Sequence, residues 1–157
     1  MAPRYNGRMP SRSQFEADLK DAMRSGDDVR KRTLRMVLSA VKLAEVEKRG
    51  ELDEAGILSV LQKEVKARHE TIQDSERAAR PDLAEASRAE LAVLQSYLPQ
   101  PIGEEELNRL VRQAIEETGA TAPAEQGKVM KVLMPRLQGR ADGKAVSELV
   151  RQMLVPS

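Results

Sequence analysis

The last third of the chain contains an apolar stripe at helical spacing that ends in a strongly specified turn. The stripe comprises Val129, Leu133 and Leu137, and Pro135 lies within it. This spacing predicts an amphipathic helix, which proline must kink or tighten because it lacks a backbone donor. Gly139 follows as the residue type that most readily takes the left-handed conformation at a helix end. The sequence therefore predicts a helix that stops at a defined point.

A second amphipathic helix is predicted directly after this turn. Asp142 supplies a side-chain oxygen suited to an N-cap, and Gly143 follows it. The apolar positions of this helix are Val146, Leu149, Val150, Met153 and Leu154. Gly127, near the start of the preceding helix, is less favourable there than alanine by about 1 kcal/mol. We interpret Gly127 as a point of close helix packing, with a ligand contact as the alternative.

The rest of the chain repeats the helical period without any strand pattern. Helices are predicted over about 13–25, 28–49, 53–77, 81–96 and 104–118. The segment Leu34–Val46 is apolar almost all round, which predicts a helix enclosed by others. Pro99 and Pro101 favour extended backbone and a change of domain. The predicted fold is all-α, with a flexible basic arm at 1–12, an N-terminal domain of about four helices at 13–98, a linker at 99–103 and a three-helix domain at 104–155.

Bulk composition excludes several classes of protein. The 157 residues include no cysteine, and no apolar run approaches the ~20 residues that span a bilayer. The first twelve residues lack the apolar centre of a signal peptide. We therefore expect a cytoplasmic protein that has no membrane partner. The net charge of only +1 gives no global field that would draw the chain to nucleic acid.

Charge is nevertheless distributed unevenly along the chain. Acidic residues exceed basic ones by four over residues 99–125, and the reverse holds over residues 126–157. The candidate anion-binding residues in the basic half are Lys128, Lys131, Arg136, Arg140 and Lys144. Scattered charge for solubility is the alternative. A second basic cluster, at Arg30, Lys31, Arg32 and Arg35, is interpreted as a solvated face balanced by Asp27 and Asp28.

No catalytic or metal-binding pattern emerges from the residues. His69 is the only histidine, and Gln73 stands where a zinc protease motif needs its second histidine. The serines lack the glycine context of a nucleophile elbow, and no glycine-rich phosphate loop is present. We predict no metal, no cofactor and no independent catalytic site.

The run from Gly127 to Lys144 closely resembles the end of the YqeY family, whose C-terminal domain is shared with the tail of the GatB subunit of glutamine-dependent tRNA amidotransferases. Upstream positions fit the same family pattern in order and spacing. They are Lys63, Glu64, Val65, Lys66, Arg68, Arg80, Asp82, Leu83, Glu90, Leu91, Leu94, Tyr97, Leu98 and Pro99. The resemblance covers the chain from about Phe15 to Leu154.

This resemblance implies a role in glutamine-dependent tRNA amidotransfer, the reaction of a carbon–nitrogen ligase with glutamine as amido donor. In the amidotransferase, the GatB tail recognises tRNA. We therefore expect a non-catalytic adaptor that binds tRNA, an amidotransferase or an aminoacyl-tRNA synthetase, with Arg140 and Lys144 exposed to grip a phosphate. Two alternatives stay open: a protein-binding helical module without RNA contact, using the hairpin at 77–82, and an amidotransferase component with a direct catalytic contribution.

Overall fold

The computed structural model describes residues 7–156, so the first six residues of the predicted arm lie outside it. Over this range the chain forms seven α-helices and no strand, which confirms the all-α fold class. The helices are α1 (Arg12–Ser25), α2 (Asp28–Lys48), α3 (Glu54–Arg77), α4 (Pro81–Gln95), α5 (Glu104–Thr118), α6 (Gln126–Leu137) and α7 (Gly143–Leu154). A 3-10 turn, Pro123–Glu125, precedes α6. The chain divides into two compact units between Pro99 and Gln100.

Side-chain caps fix the starts of three of the four helices of the N-terminal unit. Ser11, Asp27 and Asp53 each accept a hydrogen bond from the backbone N–H three residues ahead, at 2.8 to 3.2 Å. These bonds satisfy donors that the first helical turn leaves unpaired. Helices α1 to α4 then enclose one core, formed by Phe15, Leu34, Val37, Val41, Ile57, Val60, Leu61, Val93, Leu94 and Tyr97.

Helix α2 contacts the other three helices of this unit but is not enclosed along its whole length. Leu34, Val37 and Val41 are buried, whereas the side chains of Leu43 and Val46 are 60% and 66% exposed. The prediction of an enclosed helix is therefore wrong for its C-terminal half. The helical period turns Leu43 and Val46 away from the face that the neighbouring helices cover.

A polar contact at the edge of this core joins α1, α2 and the turn after α4. The Tyr97 hydroxyl donates to Asp18 Oδ2 at 2.5 Å, and Arg30 Nη2 lies 3.6 Å from Asp18 Oδ1. The Tyr97 ring meets Phe15 edge-on, with 5.1 Å between centroids. Burial, followed by the hydrogen bond to Asp18, raises the pKa of Tyr97. Arg30 is thus part of the internal packing, not of the solvated basic face that the sequence suggested.

The C-terminal unit comprises α5, α6 and α7 around a second core. Its buried members are Val111, Ala114, Ala120, Val129, Leu133, Leu137, Val146, Val150 and Leu154. The residues before α5, predicted as a linker, belong to this unit from Gln100 onward. Ile102 packs against the core, and its N–H donates to the carbonyl of Arg140 at 2.9 Å.

Gly127 does not mark a close approach between helices. A Cβ built on its backbone would meet nothing within 4 Å, and its φ is not positive. The interpretation of Gly127 as a packing point is therefore wrong, because the residue lies on the outer side of the first turn of α6. Neither space nor backbone conformation requires glycine at this position.

We expect Gly127→Ala to raise the free energy of unfolding by about 0.5–1 kcal/mol, because alanine costs less conformational entropy in a helix. Gly119→Ala is the matched control: its Cβ is equally unobstructed, but Gly119 has a φ of +67° at the end of α5. The control should lower the free energy of unfolding by about 1–2 kcal/mol. Urea denaturation of both variants measures the difference, and a destabilising Gly127→Ala would restore the packing interpretation.

Candidate nucleic-acid interface

The turn between α6 and α7 is built from two successive left-handed residues. Gln138 has a φ of 49° and Gly139 a φ of 77°. The N–H of Arg140 donates to the carbonyl of Leu137 at 2.9 Å, which closes the turn. Asp142 then caps α7, with Oδ1 3.4 Å from the backbone nitrogen of Lys144. The turn thus presents the Arg140 side chain back toward the start of the C-terminal unit.

Arg140 is bound internally along its whole guanidinium group. Nη1 and Nη2 donate to the two carboxylate oxygens of Glu106, at 3.0 and 3.2 Å. Nε donates to the carbonyl oxygen of Gln100 at 3.2 Å, and the Arg140 carbonyl accepts from Ile102. Only 32% of the side chain is exposed. Arg140 therefore joins the start of this unit to the turn before α7, and it is not the outward-facing cation that the sequence predicted.

Arg136 is neutralised in a similar way. Its two terminal nitrogens donate to the carboxylate of Glu117 on α5, at 3.0 and 2.5 Å. Glu106 and Glu117 were not singled out from the sequence as functional partners, although the acidic excess of α5 signalled them. Because α5 packs against α6, acidic side chains of residues 99–125 form ion pairs with basic side chains of residues 126–157.

The outward face of α6 keeps its positive charge. This face, called the α6 lysine face below, comprises the exposed residues Gly127, Lys128, Lys131, Pro135 and Gln138. None of these five residues is acidic, and Lys131 has no ion pair among residues 7–156. Two lysines three positions apart lie on the same side of a helix. The structure therefore brings Lys128 and Lys131 together in solvent.

Glu125, whose carboxylate pairs with Lys128, is bound mainly by backbone N–H groups of the preceding loop. Lys128 Nζ lies 3.8 Å from Glu125 Oε1, and the Lys128 side chain stays 64% exposed. The other oxygen of Glu125 accepts from the backbone N–H of Thr121 at 2.7 Å and of Ala122 at 3.1 Å. These two bonds are the main reason that the pKa of Glu125 is lowered. Glu125 thus closes the loop before α6 and only weakly screens Lys128.

The remaining predicted residues occupy separate places. Lys144 is exposed in the first turn of α7, with no ion pair recorded in the described part of the chain. A Cβ on Gly143 would lie 3.5 Å from Met134 Cε, an ordinary packing distance. His69 is exposed on α3. The described residues contain no His, Cys, Asp and Glu group that could hold a metal, and none of their helices could cross a membrane.

The two arginine pairs should make the C-terminal unit sensitive to acid. Hydrogen bonds from Arg140 and Arg136 lower the pKa values of Glu106 and Glu117 below the ordinary glutamate value of 4.5. A carboxyl with a lowered pKa in the folded state contributes stability above the unfolded value and loses it as pH falls through the folded value. We therefore expect the urea concentration at the unfolding midpoint to decrease as the pH is lowered from neutral to below the ordinary glutamate pKa of 4.5.

Glu106→Gln and Glu117→Gln should each lower the midpoint at neutral pH and flatten its fall in acid. Glu104→Gln is the control, because Glu104 lies in the same helix without an ion pair recorded within residues 7–156. An unchanged pH profile in both test variants would contradict the assignment.

Comparison with known proteins gives one consistent family. The profile of the YqeY family, described as "Yqey-like protein", matches residues 12–154. A protein of Pyrenophora tritici-repentis named "Altered inheritance of mitochondria protein 41, mitochondrial" is 32% identical over 146 residues, which cover 90% of this chain and 79% of the relative. The proteins of the same name from Lachancea thermotolerans and Saccharomyces cerevisiae are 28% and 26% identical, over 94% and 85% of this chain and 80% and 71% of the relatives.

These names correct the expected location. The similar proteins are named as mitochondrial, so the prediction of a cytoplasmic protein is wrong. The sequence features behind that prediction were a lack of cysteine and of membrane or secretory segments, and they do not distinguish the cytoplasm from another reducing compartment. The match over residues 12–154 spans almost the whole chain, including both compact units, and this protein therefore belongs to the YqeY family.

Proposed function

We propose that this protein is a non-catalytic accessory factor of glutamine-dependent tRNA amidotransfer and that it contacts the tRNA backbone through the α6 lysine face. One observation carries the proposal: Lys128 and Lys131 are exposed on the same face of α6, and no residue of that face is acidic. Ammonium groups in such a setting suit phosphate oxygens, which position a protein on RNA without reading its sequence.

The shape of the α6 lysine face supports contact with the phosphate backbone of RNA. Gly127 has no side chain, and the space in front of it is open. A phosphate group can therefore approach the first turn of α6 closely, beside Lys128. Residues 100–157 carry eight basic and eight acidic side chains, so attraction must come from this local face and not from a net field. We expect binding that is modest and strongly weakened by salt.

The link to amidotransfer rests on the family. The C-terminal unit, with its Gly139-to-Lys144 turn, resembles the tail of the GatB subunit, which recognises tRNA for a larger catalytic assembly. The relatives are named as mitochondrial proteins, so mitochondrial tRNA is the first ligand to test.

Charge reversal of the two lysines, Lys128→Glu with Lys131→Glu, should weaken tRNA binding by at least about tenfold at low salt. Each lost phosphate contact should also reduce the slope of log affinity against log salt by somewhat less than one unit. Fluorescence anisotropy with labelled tRNA over a salt series measures both quantities.

The matched control reverses Lys63 and Lys66, which are exposed on α3 with the same spacing of three residues. It produces the same change in net charge and should alter affinity by less than about twofold. Equal losses of tRNA affinity in the two double variants would show a general effect of charge and would contradict a specific role for the α6 lysine face. Arg140 and Arg136 are unsuitable for this test, because reversal would break their contacts with α5 and lower stability.

Purified protein alone should not transfer an amide group from glutamine to glutamyl- or aspartyl-tRNA, and it should act only by changing the activity of an added amidotransferase. Aminoacyl-tRNA analysis after incubation with glutamine measures both effects. Amide transfer by the isolated chain would overturn the accessory role and would favour a direct catalytic contribution.

A protein-binding module without RNA contact is the second candidate. The observation that favours it is the exposure of Leu43 and Val46 on one side of α2, 60% and 66%. Apolar side chains exposed together are a common feature of protein interaction sites. Retention of a protein partner after nuclease treatment, together with no tRNA binding at low salt, would select this function over the first.

A further inference from the structure

A second basic surface lies in the N-terminal unit, along the first turns of α2. An open groove of about 490 Å³ is lined by Asp28, Lys31, Arg32, Arg35 and Met36. Three of these five side chains are cationic, and the one carboxylate, on Asp28, pairs with Lys31 at 3.0 Å. Arg35 is exposed and has no hydrogen bond or ion pair recorded within residues 7–156. The groove therefore has more positive charge than its own lining neutralises.

Arg32 is held in place from behind by a carboxylate on another helix. Its Nε donates to Glu90 Oε1 of α4 at 3.0 Å. Glu90 is only 14% exposed, and its second oxygen lies 2.7 Å from Nε of Arg68, a side chain that is 11% exposed. The Glu90 carboxylate therefore forms an ion pair with a buried arginine, without a hydrogen bond from its Nε, and accepts a hydrogen bond from Arg32. Glu90 thus engages Nε of Arg32. The two terminal nitrogens of Arg32 have no hydrogen bond within residues 7–156.

Those two terminal nitrogens form the donor fork that matches two oxygens of a phosphate. Arg35 lies three positions along the same helix and adds a second guanidinium. An arginine whose orientation is already fixed loses less side-chain freedom when it binds an anion. The groove thus combines an oriented donor with an adjacent unpaired one.

We propose that this groove binds a phosphate group and that its ligand is a backbone phosphate of RNA, which makes it a second RNA contact on the N-terminal unit. The identity of the ligand as RNA rests on the function proposed above, whereas the phosphate site itself does not. The lining favours a backbone over a free nucleotide, because it contains no aromatic side chain on which a base could stack. The same donors could bind free phosphate compounds, which the experiment must separate.

The phosphate site is tested first with inorganic phosphate and the full chain. In a nuclear magnetic resonance titration at constant ionic strength, with chloride as the reference anion, the arginine side-chain signals of Arg32 and Arg35 should shift and saturate. Arg35→Glu should lower the phosphate affinity at least about fivefold. Arg77→Glu is the control, because Arg77 is 78% exposed and only loosely paired, 3.9 Å from Asp74. Equal effects of the two reversals would overturn the site.

Glu90→Gln distinguishes an organised site from simple attraction. The substitution removes a negative charge near the groove, so attraction alone predicts tighter phosphate binding. Glutamine has one acceptor oxygen and cannot hold both Arg32 and Arg68 as Glu90 does. We expect weaker phosphate binding, by about threefold or more, because Arg32 loses its support. Tighter binding would contradict the positioning role, and Arg35→Glu remains decisive if Glu90→Gln impairs folding.

Labelled tRNA then identifies the natural source of the phosphate. Arg35→Glu should weaken tRNA binding by about fivefold, and its effect should add to that of the two lysine reversals on α6. Loss of inorganic phosphate binding without any change in tRNA affinity would leave the function proposed above intact but overturn RNA as the ligand of this groove. Phosphate binding by a chain that does not bind tRNA would refute that function while leaving the anion site.

Discussion

The pairing of acidic helix α5 with the basic residues of α6 and of the turn that follows it decides which charges of the C-terminal unit reach solvent. Glu117 neutralises Arg136, and Glu106 neutralises Arg140. The second of these pairs also ties residues 100–106 to the turn before α7, through the carbonyl of Gln100. Bidentate arginine–carboxylate contacts have a defined geometry, so they position the helices as well as cancel charge. What remains on the surface of α6 is a small lysine face.

Arginine has a different role in each of the two units. In the C-terminal unit, Arg140 uses its entire guanidinium group within the fold and is lost as a ligand-binding residue. In the N-terminal unit, Glu90 accepts from Arg32 and is supported by buried Arg68, and this chain of contacts leaves part of Arg32 available. The difference arises from which nitrogens the carboxylate engages: both terminal ones in Arg140, and only Nε in Arg32. A list of basic residues cannot make that distinction.

Family membership and exposed cations underlie the binding functions proposed for this chain. The YqeY match covers both units. The α6 lysine face and the groove on α2 each contain a cation without an ion pair among residues 7–156, Lys131 on the first and Arg35 on the second. Their proposed roles are separable, because they lie on different helices with different supporting contacts.

The sequence by itself determined the helices and most of their ends. Apolar spacing, capping aspartates and glycines act within a few residues, and α5 was predicted with the bounds it has, Glu104–Thr118. Only the tertiary structure decided which charged side chains remain exposed and unpaired. Arg140 and Lys131 are similar as sequence features, but one meets a glutamate from a helix 34 positions earlier and the other meets solvent. Likewise, nothing local shows that α2 is uncovered at Leu43. Charge neutralisation and burial depend on neighbours in space, which packing alone supplies.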